Sequence, residues 1–351
     1  MTAAPSPSAL SPSARAEPPV VRVEDLRILF PSLDGVDTVK AVDGVSFEIR
    51  PAETFGIIGE SGSGKSTIGR ALVGLLDATE GVIELDGRTL ASVPRRDRRK
   101  VRQAYQIVFQ DPHAALNPRM TLMESLTEPL RIRGGVPEDE MRRKVQESLE
   151  RVGLRAEMLA RYPHELSGGQ KQRANIARLL PLNPRLIVCD EVVAALDVSI
   201  RGEVLNLFAD LQRDFGIAYA FIAHDIAVVA QVSDRIAVTY LGRFMEVGPA
   251  EAVTERPLHP YTTALLSAEP RPLPAHLREA RRIDLKGEIP SPVDPPSGCR
   301  FRTRCPWAQE RCAAEVPEWR ELRPDHFVAC HFAGPEGIES MPAQATGPTP
   351  G

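Results

Sequence analysis

Apolar and polar positions recur along this chain with two different periods, and the switch between them outlines the fold. Ala41 to Ile49 (AVDGVSFEI) alternates as a half-buried strand does. Thr54 to Ile58 is a short apolar run that ends in a glycine-rich loop, and Ser66 to Leu76 behind the loop reads as a helix. Arg185 to Cys189 (RLIVC) and Ala218 to Ala223 are continuous apolar runs, the pattern of strands covered on both faces. Between them Ile200, Val204, Leu207, Phe208, Leu211 and Phe215 form one helical stripe over Ile200 to Phe215. Strands alternating with helices predict an α/β domain.

The same pattern divides the chain. Residues 20–255 carry the alternation, interrupted from about 111 to 177 by mostly helical periodicity, of which Met141 to Val152 is the clearest helix. That stretch predicts a helical subdomain inserted in the sheet domain. Residues 256–333 turn rich in Pro and Arg and then carry four cysteines, which suggests a small appended domain. Residues 1–19, rich in Ala, Pro and Ser, and residues 334–351 read as tails, the first of them disordered. No tandem repeat is present.

Composition narrows the class. A chain of 351 residues with 42% hydrophobic residues can bury a sizeable core. A net charge of −4 gives no basic excess that would point to nucleic acid as an obligate partner. No apolar stretch approaches bilayer-spanning length, and the first residues lack the basic start and apolar centre of a signal peptide. The expected location is the cytoplasm, and any membrane span must come from other chains.

Two motifs carry chemistry. Gly59-Glu60-Ser61-Gly62-Ser63-Gly64-Lys65-Ser66 fits the phosphate-binding loop pattern, between a strand and a helix. The glycines let backbone N–H groups approach phosphate oxygens, and the following helix turns its positive end toward the same anion. Lys65 suits the β- and γ-phosphates, the Ser66 hydroxyl suits Mg²⁺, and Thr67 follows as a further nucleotide-site residue. The second motif is Leu186 to Cys189 followed by Asp190 and Glu191, which delivers two carboxylates to the end of a buried strand. Asp190 is placed to hold Mg²⁺ through its water shell and Glu191 to polarise an attacking water.

Leu166-Ser167-Gly168-Gly169-Gln170 is the signature sequence of ABC ATPases, and the order of motifs around it resembles that family. Gln110 resembles its Q-loop, His224 its switch histidine, and Ala195-Leu196-Asp197 its D-loop. The resemblance covers roughly two-thirds of the chain. It implies a P-loop NTPase fold of the ABC type, with ATP and Mg²⁺ as ligands. It also implies head-to-tail pairing, in which Ser167, Gly168, Gly169 and Gln170 cap the nucleotide held by a second subunit. Further implied roles are Mg²⁺ contact and coupling for Gln110, γ-phosphate contact and orientation of Glu191 for His224, and cross-subunit contact for Asp197. Phe30 is the candidate to stack on adenine; the alternative is an ordinary core aromatic. Two positions depart from the family: Val192 stands where a proline usually follows the catalytic Glu, and Ala194 replaces the usual D-loop serine.

Further along, Pro257 to Thr262, Leu265 to Ala268, Gly287 to Pro292, Gly298-Cys299 and Arg304-Cys305-Pro306 look like the extension of oligopeptide and dipeptide importer ATPases. Phe109 to Pro112 and Leu116 to Arg119 are similar to that branch too. The resemblance implies a peripheral subunit on the cytoplasmic face of a bacterial membrane. Its partners would be a second ATPase subunit, identical or paralogous, two permease chains and an extracytoplasmic solute-binding protein. Its substrates would be peptides or, in some members, nickel chelates. Cys299, Cys305, Cys312 and Cys330 are separated by 5, 6 and 17 residues, without the close pair usual for zinc. Four thiolates can hold a [4Fe–4S] cluster, the reading the family resemblance favours, or zinc, with His326 and His331 nearby; free thiols or disulfides are the remaining alternative. Two rival functions stay open at this point: a soluble ABC ATPase outside transport, and a regulatory subunit that binds ATP without cleaving it.

Overall fold

The computed structural model describes residues 17–32, 35–94, 96–111, 115–194, 196–269 and 283–337. Most of both tails, Pro112 and Ala195 lie outside the described residues. The first half runs β1 (Val21–Pro31), β2 (Thr38–Ile49), β3 (Thr54–Ile58), α1 (Lys65–Leu72), β4 (Glu80–Leu85), β5 (Arg88–Thr89), α2 (Arg98–Ala104) and β6 (Tyr105–Val108). Helices α3 (Leu122–Arg133), α4 (Glu138–Arg151) and α5 (Gly168–Ala177) follow, then β7 (Leu186–Asp190), α6 (Val198–Phe215) and β8 (Ala218–Ala223). The remainder is α7 (Ile226–Val232), β9 (Arg235–Tyr240), β10 (Arg243–Pro249), α8 (Ala250–Glu255), α9 (Pro260–Ala268), α10 (Glu310–Ala314), β11 (Arg320–Arg323) and β12 (His326–Val328). The fold class is mixed α/β, as the periodicity predicts.

The chain forms two compact units, and it crosses between them within β1, β2 and β3, between Lys65 and Ser66, and after Ala223. In the first unit β6, β7 and β8 pair in parallel, with Leu186 opposite both Tyr105 and Ala218. Every residue of β7 and β8 is buried, which explains runs apolar throughout rather than alternating. Burying each of Leu186, Ile187 and Val188 contributes about 1.5–3 kcal/mol. Helices α3, α4 and α5 fill the predicted helical stretch. Helix α3 starts on a capping box in which Thr121 and Glu124 satisfy each other's backbone N–H groups. Helix α4 buries Met141, Val145 and Leu149 and begins on Glu138, Asp139 and Glu140, which suit the positive end of a helix.

In the second unit β9, β10, β12 and β11 pair antiparallel. Its core has an aromatic centre. Phe301 is fully buried, its ring 5.3 Å from Tyr240, 5.2 Å from Tyr261 and 5.7 Å from His259. Burial pushes the His259 imidazole down to about 3, so the ring is neutral. Its Nδ1 accepts the Tyr261 N–H at 3.0 Å and caps α9. Buried Glu246 accepts the N–H groups of Leu258 and His259 and pairs with His326 Nε2 at 2.7 Å. These bonds satisfy a carboxylate that would otherwise be costly to bury.

Candidate nucleotide site

The phosphate loop leaves β3 at Ile58 and closes on itself. Gly59 has φ +153° and Gly64 has φ +99°. A Cβ at Gly59 would lie 2.2 Å from the Thr239 carbonyl oxygen, and one at Gly64 would lie 2.2 Å from that of Ala41. Both positions therefore demand glycine for conformation and for space. The loop is stapled from outside: the Thr239 hydroxyl and the Gly242 N–H both donate to the Ser63 carbonyl at 3.0 Å. Lys65 is buried, and its ammonium donates to the carbonyls of Gly59 and Glu60 at 2.8 Å each and to Ser63 Oγ at 3.4 Å. A full positive charge is thus held at the mouth of a ring of backbone groups, an arrangement that favours an anion. Ser61 and Gly62 form the exposed tip, and a Cβ at Gly62 would meet nothing within 4 Å.

Ser66 and Thr67 continue into α1, where Ser66 Oγ donates to Asp190 Oδ1 at 2.7 Å. A hydroxyl and a buried carboxylate within bonding distance are the hard oxygen donors that Mg²⁺ prefers, so these residues fit that ion. Parallel pairing sets Val108 beside Cys189, so Gln110 and the Asp190-Glu191 pair emerge at the same edge of the β6–β7 pair. Gln110 is exposed there.

Glu191 is placed here by the sequence, but its backbone conformation is the feature that sequence reasoning missed. Its backbone sits in the left-handed region at φ +52°, its N–H donates to the Ile222 carbonyl at 2.9 Å, and its carbonyl accepts from Ala194 N–H at 3.1 Å. A non-glycine residue held there costs roughly 1–2 kcal/mol, which the flanking bonds and the burial of Val192 and Val193 offset. No sequence signal marks this conformation; glutamate is not a residue that seeks it. Val192, where the family usually has proline, is buried beside this turn.

The signature segment opens α5. Ser167 is the cap, its Oγ accepting the Gln170 N–H at 3.3 Å while Gln170 Oε1 accepts the Ser167 N–H at 3.0 Å. Gly169 packs on α6, where an added Cβ would come 2.9 Å from an Ile200 methyl. Gly168 is exposed, with nothing within 4 Å of an added Cβ. Asp197 is exposed at the start of α6 and its carbonyl accepts the Arg201 N–H at 2.8 Å. His224 is exposed immediately after β8, ahead of Asp225, which caps α7. Phe30 is 36% exposed near the end of β1, so it is not an ordinary core aromatic.

Cys299, Cys305, Cys312 and Cys330 all line one pocket, and none is in a disulfide. Burial pushes the Cys299 thiol up to about 11 and the Cys305 thiol up to about 12, and raises Cys330 as well. The donors fit a soft metal in kind. Their disposition does not support the expected metal site: among the described residues no group of three or more His, Cys, Asp or Glu could hold a metal ion.

Known proteins place this geometry. Residues 42–194 match the family described as ABC transporter, and residues 245–312 match the oligopeptide/dipeptide transporter C-terminal region. The oligopeptide transport ATP-binding protein AppF of Bacillus subtilis is 48% identical over 89% of this chain and 97% of its own length. The di/tripeptide transport ATP-binding protein DppF of Pseudomonas aeruginosa is 48% identical over 84% of this chain and 90% of its own. The dimeric structure of a bacterial ABC transporter cassette superposes with a TM-score of 0.60 at 28% identity, over 66% of this chain and 98% of that one. Loop, signature and strand-end acids in this order, on this fold and with relatives this similar, make the chain a member of the ABC transporter ATP-binding family, in the branch that carries the oligopeptide/dipeptide C-terminal region.

Proposed function

We propose that the chain binds and hydrolyses ATP to drive an ABC importer of peptides. The observation that carries the reading is the buried Lys65 ammonium encircled by the carbonyls of its own loop, a cation pre-placed for a triphosphate. In this reading Gly59, Ser61, Gly62, Ser63, Gly64 and Lys65 hold the phosphates, and Ser66 and Thr67 continue the site at the start of the helix. Ser66, Gln110 and Asp190 would hold Mg²⁺, which supplies neutralisation of the phosphate oxygens when bound. Glu191 orients and polarises the attacking water, its strained backbone fixing where the carboxylate stands. His224 contacts the γ-phosphate, and Phe30 stacks on adenine.

Ser167, Gly168, Gly169 and Gln170, with Asp197, serve the nucleotide of a second ATPase subunit; the exposure of Gly168 supports this. A permease pair is the membrane partner. Among the described residues no helix is long and apolar enough to cross a membrane. The proposed place is peripheral, on the cytoplasmic face, through the permease pair. A largely apolar cavity of about 510 Å³, lined by Val73, Leu75, Tyr105, Phe109, Ile132 and Leu182 among others, suits a permease segment. An extracytoplasmic binding protein completes the importer and supplies the peptide.

Lys65→Ala should lose ATP binding by more than about a hundredfold, and Glu191→Gln should keep ATP bound while turnover stops. Equal ATP retention and hydrolysis by Lys65→Ala would overturn the proposal. For the four cysteines we propose a [4Fe–4S] cluster, with zinc as the alternative, on the strength of four thiols lining one pocket; binding would require these side chains to turn from their present disposition, which forms no metal-ligand group among the described residues. Iron, sulfide and zinc content after anaerobic purification decides it; protein free of all three removes it.

A further inference from the structure

Within the phosphate loop Glu60 is the only acidic residue, an odd companion for a site that takes a polyanion. The C-terminal extension deals with it directly. Arg304 Nη1 and Nη2 donate to Glu60 Oε2 at 2.5 Å and Oε1 at 3.0 Å, a two-bond fork. The Arg304 side chain is only 8% exposed and that of Glu60 25%, so solvent screens the pair poorly. The neighbouring backbone is held by the same extension: the Glu60 N–H donates to the Tyr261 hydroxyl at 2.9 Å.

Arg304 is itself firmly placed. It ends a turn in which Arg302 N–H donates to the Cys299 carbonyl and Arg304 N–H to the Phe301 carbonyl. Phe301 plugs that turn into the aromatic core, and the Arg304 guanidinium lies 5.9 Å over the Tyr240 ring. At the other end of the turn Arg300 bonds the Leu241 carbonyl and Asp43, beside Gly242, whose N–H holds Ser63.

We infer that Arg304 is a positioning residue for the phosphate loop: by pairing with Glu60 it cancels the loop's own carboxylate and fixes it away from the anion, raising affinity for nucleotide triphosphate. This rests on the reading that the Gly59 to Lys65 loop holds ATP. The physical argument is charge. Left unpaired, Glu60 puts a negative charge within the anion cradle and competes for the Lys65 ammonium. A fork rather than a single contact fixes the direction of the carboxylate as well as its charge.

The test measures the affinity of the full-length chain for Mg²⁺ and a non-hydrolysable imido analogue of ATP by calorimetry. Arg304→Ala and Arg304→Gln should each weaken binding about tenfold, while Arg304→Lys, which keeps the charge, stays within about threefold. In a Glu60→Gln background the Arg304→Ala change should move affinity less than about twofold, because no carboxylate remains to neutralise. An equal loss in both backgrounds assigns Arg304 to scaffolding alone and overturns the inference, as does an unchanged affinity in folded Arg304→Ala protein. Should both neutral variants fail to fold, a tenfold loss in folded Arg304→Lys also overturns it. Binding retained by Lys65→Ala would count against the nucleotide reading itself, whatever Arg304 does.

Discussion

Two glycine-bearing segments are proposed here as anion cradles, and they are built on opposite plans. The loop from Gly59 to Lys65 is closed: its glycines sit at φ values other residues resist, Gly59 and Gly64 make room for backbone carbonyls, and its lysine is buried among its own loop oxygens. The signature from Ser167 to Gln170 is open. Its backbone is ordinary, its cap is completed by its own side chains, and Gly168 faces empty space. A closed loop of this kind is complete within one chain and has no space for an atom added at Gly59 or Gly64. An open cradle has been left bare on one side, which is what a partner-facing surface requires.

Alanine substitutions sharpen the contrast, from the largest stability effect to the smallest. Gly64→Ala places a methyl 2.2 Å from a backbone carbonyl that cannot step aside, at φ +99°. It should cost more than about 3 kcal/mol and abolish ATP binding, read by thermal melting and calorimetry. Gly169→Ala meets only an Ile200 methyl at 2.9 Å, a flexible neighbour, so melting should report a loss of about 1–2 kcal/mol. Ser167→Ala removes one half of a capping box and should cost about 1 kcal/mol with ATP affinity of the isolated chain unchanged. Gly168→Ala should leave stability within about 0.5 kcal/mol. Its hydrolysis in the assembled transporter should nevertheless fall at least about tenfold if, as proposed, the added methyl stands where a second subunit's nucleotide approaches. A Gly168→Ala protein with full assembled activity would break the comparison.

Periodicity made much of the sheet legible. The helix read over Ile200 to Phe215 is α6, Val198–Phe215, and the run Ala218 to Ala223 is β8 to the residue, because both faces of that strand are buried. Strand β1 escaped the same reading. Val21 and Val23 alternate correctly, but Asp25 at φ +44° shifts the phase, so that Leu26 and Ile28 fall on the other parity. The helix after the phosphate loop ends at Leu72 rather than Leu76, where Gly74 and Leu75 donate back to Ala71 and Arg70 and wrap its end. A helical stripe does not announce such a stop. Of the site, Lys65, Ser66, Asp190 and the signature were visible in short motifs, since each motif's geometry is local to a few residues.

By itself, then, the sequence determined which residues are candidates for chemistry and which segments are buried, because backbone geometry and side-chain period act over one or two turns of chain. Only the tertiary structure decided that Ser66 and Asp190 meet across 124 positions, that Glu191 is held in a left-handed turn, and that Arg304 reaches Glu60 across 244. Those pairings depend on where distant segments come to rest, and packing, not local preference, sets that.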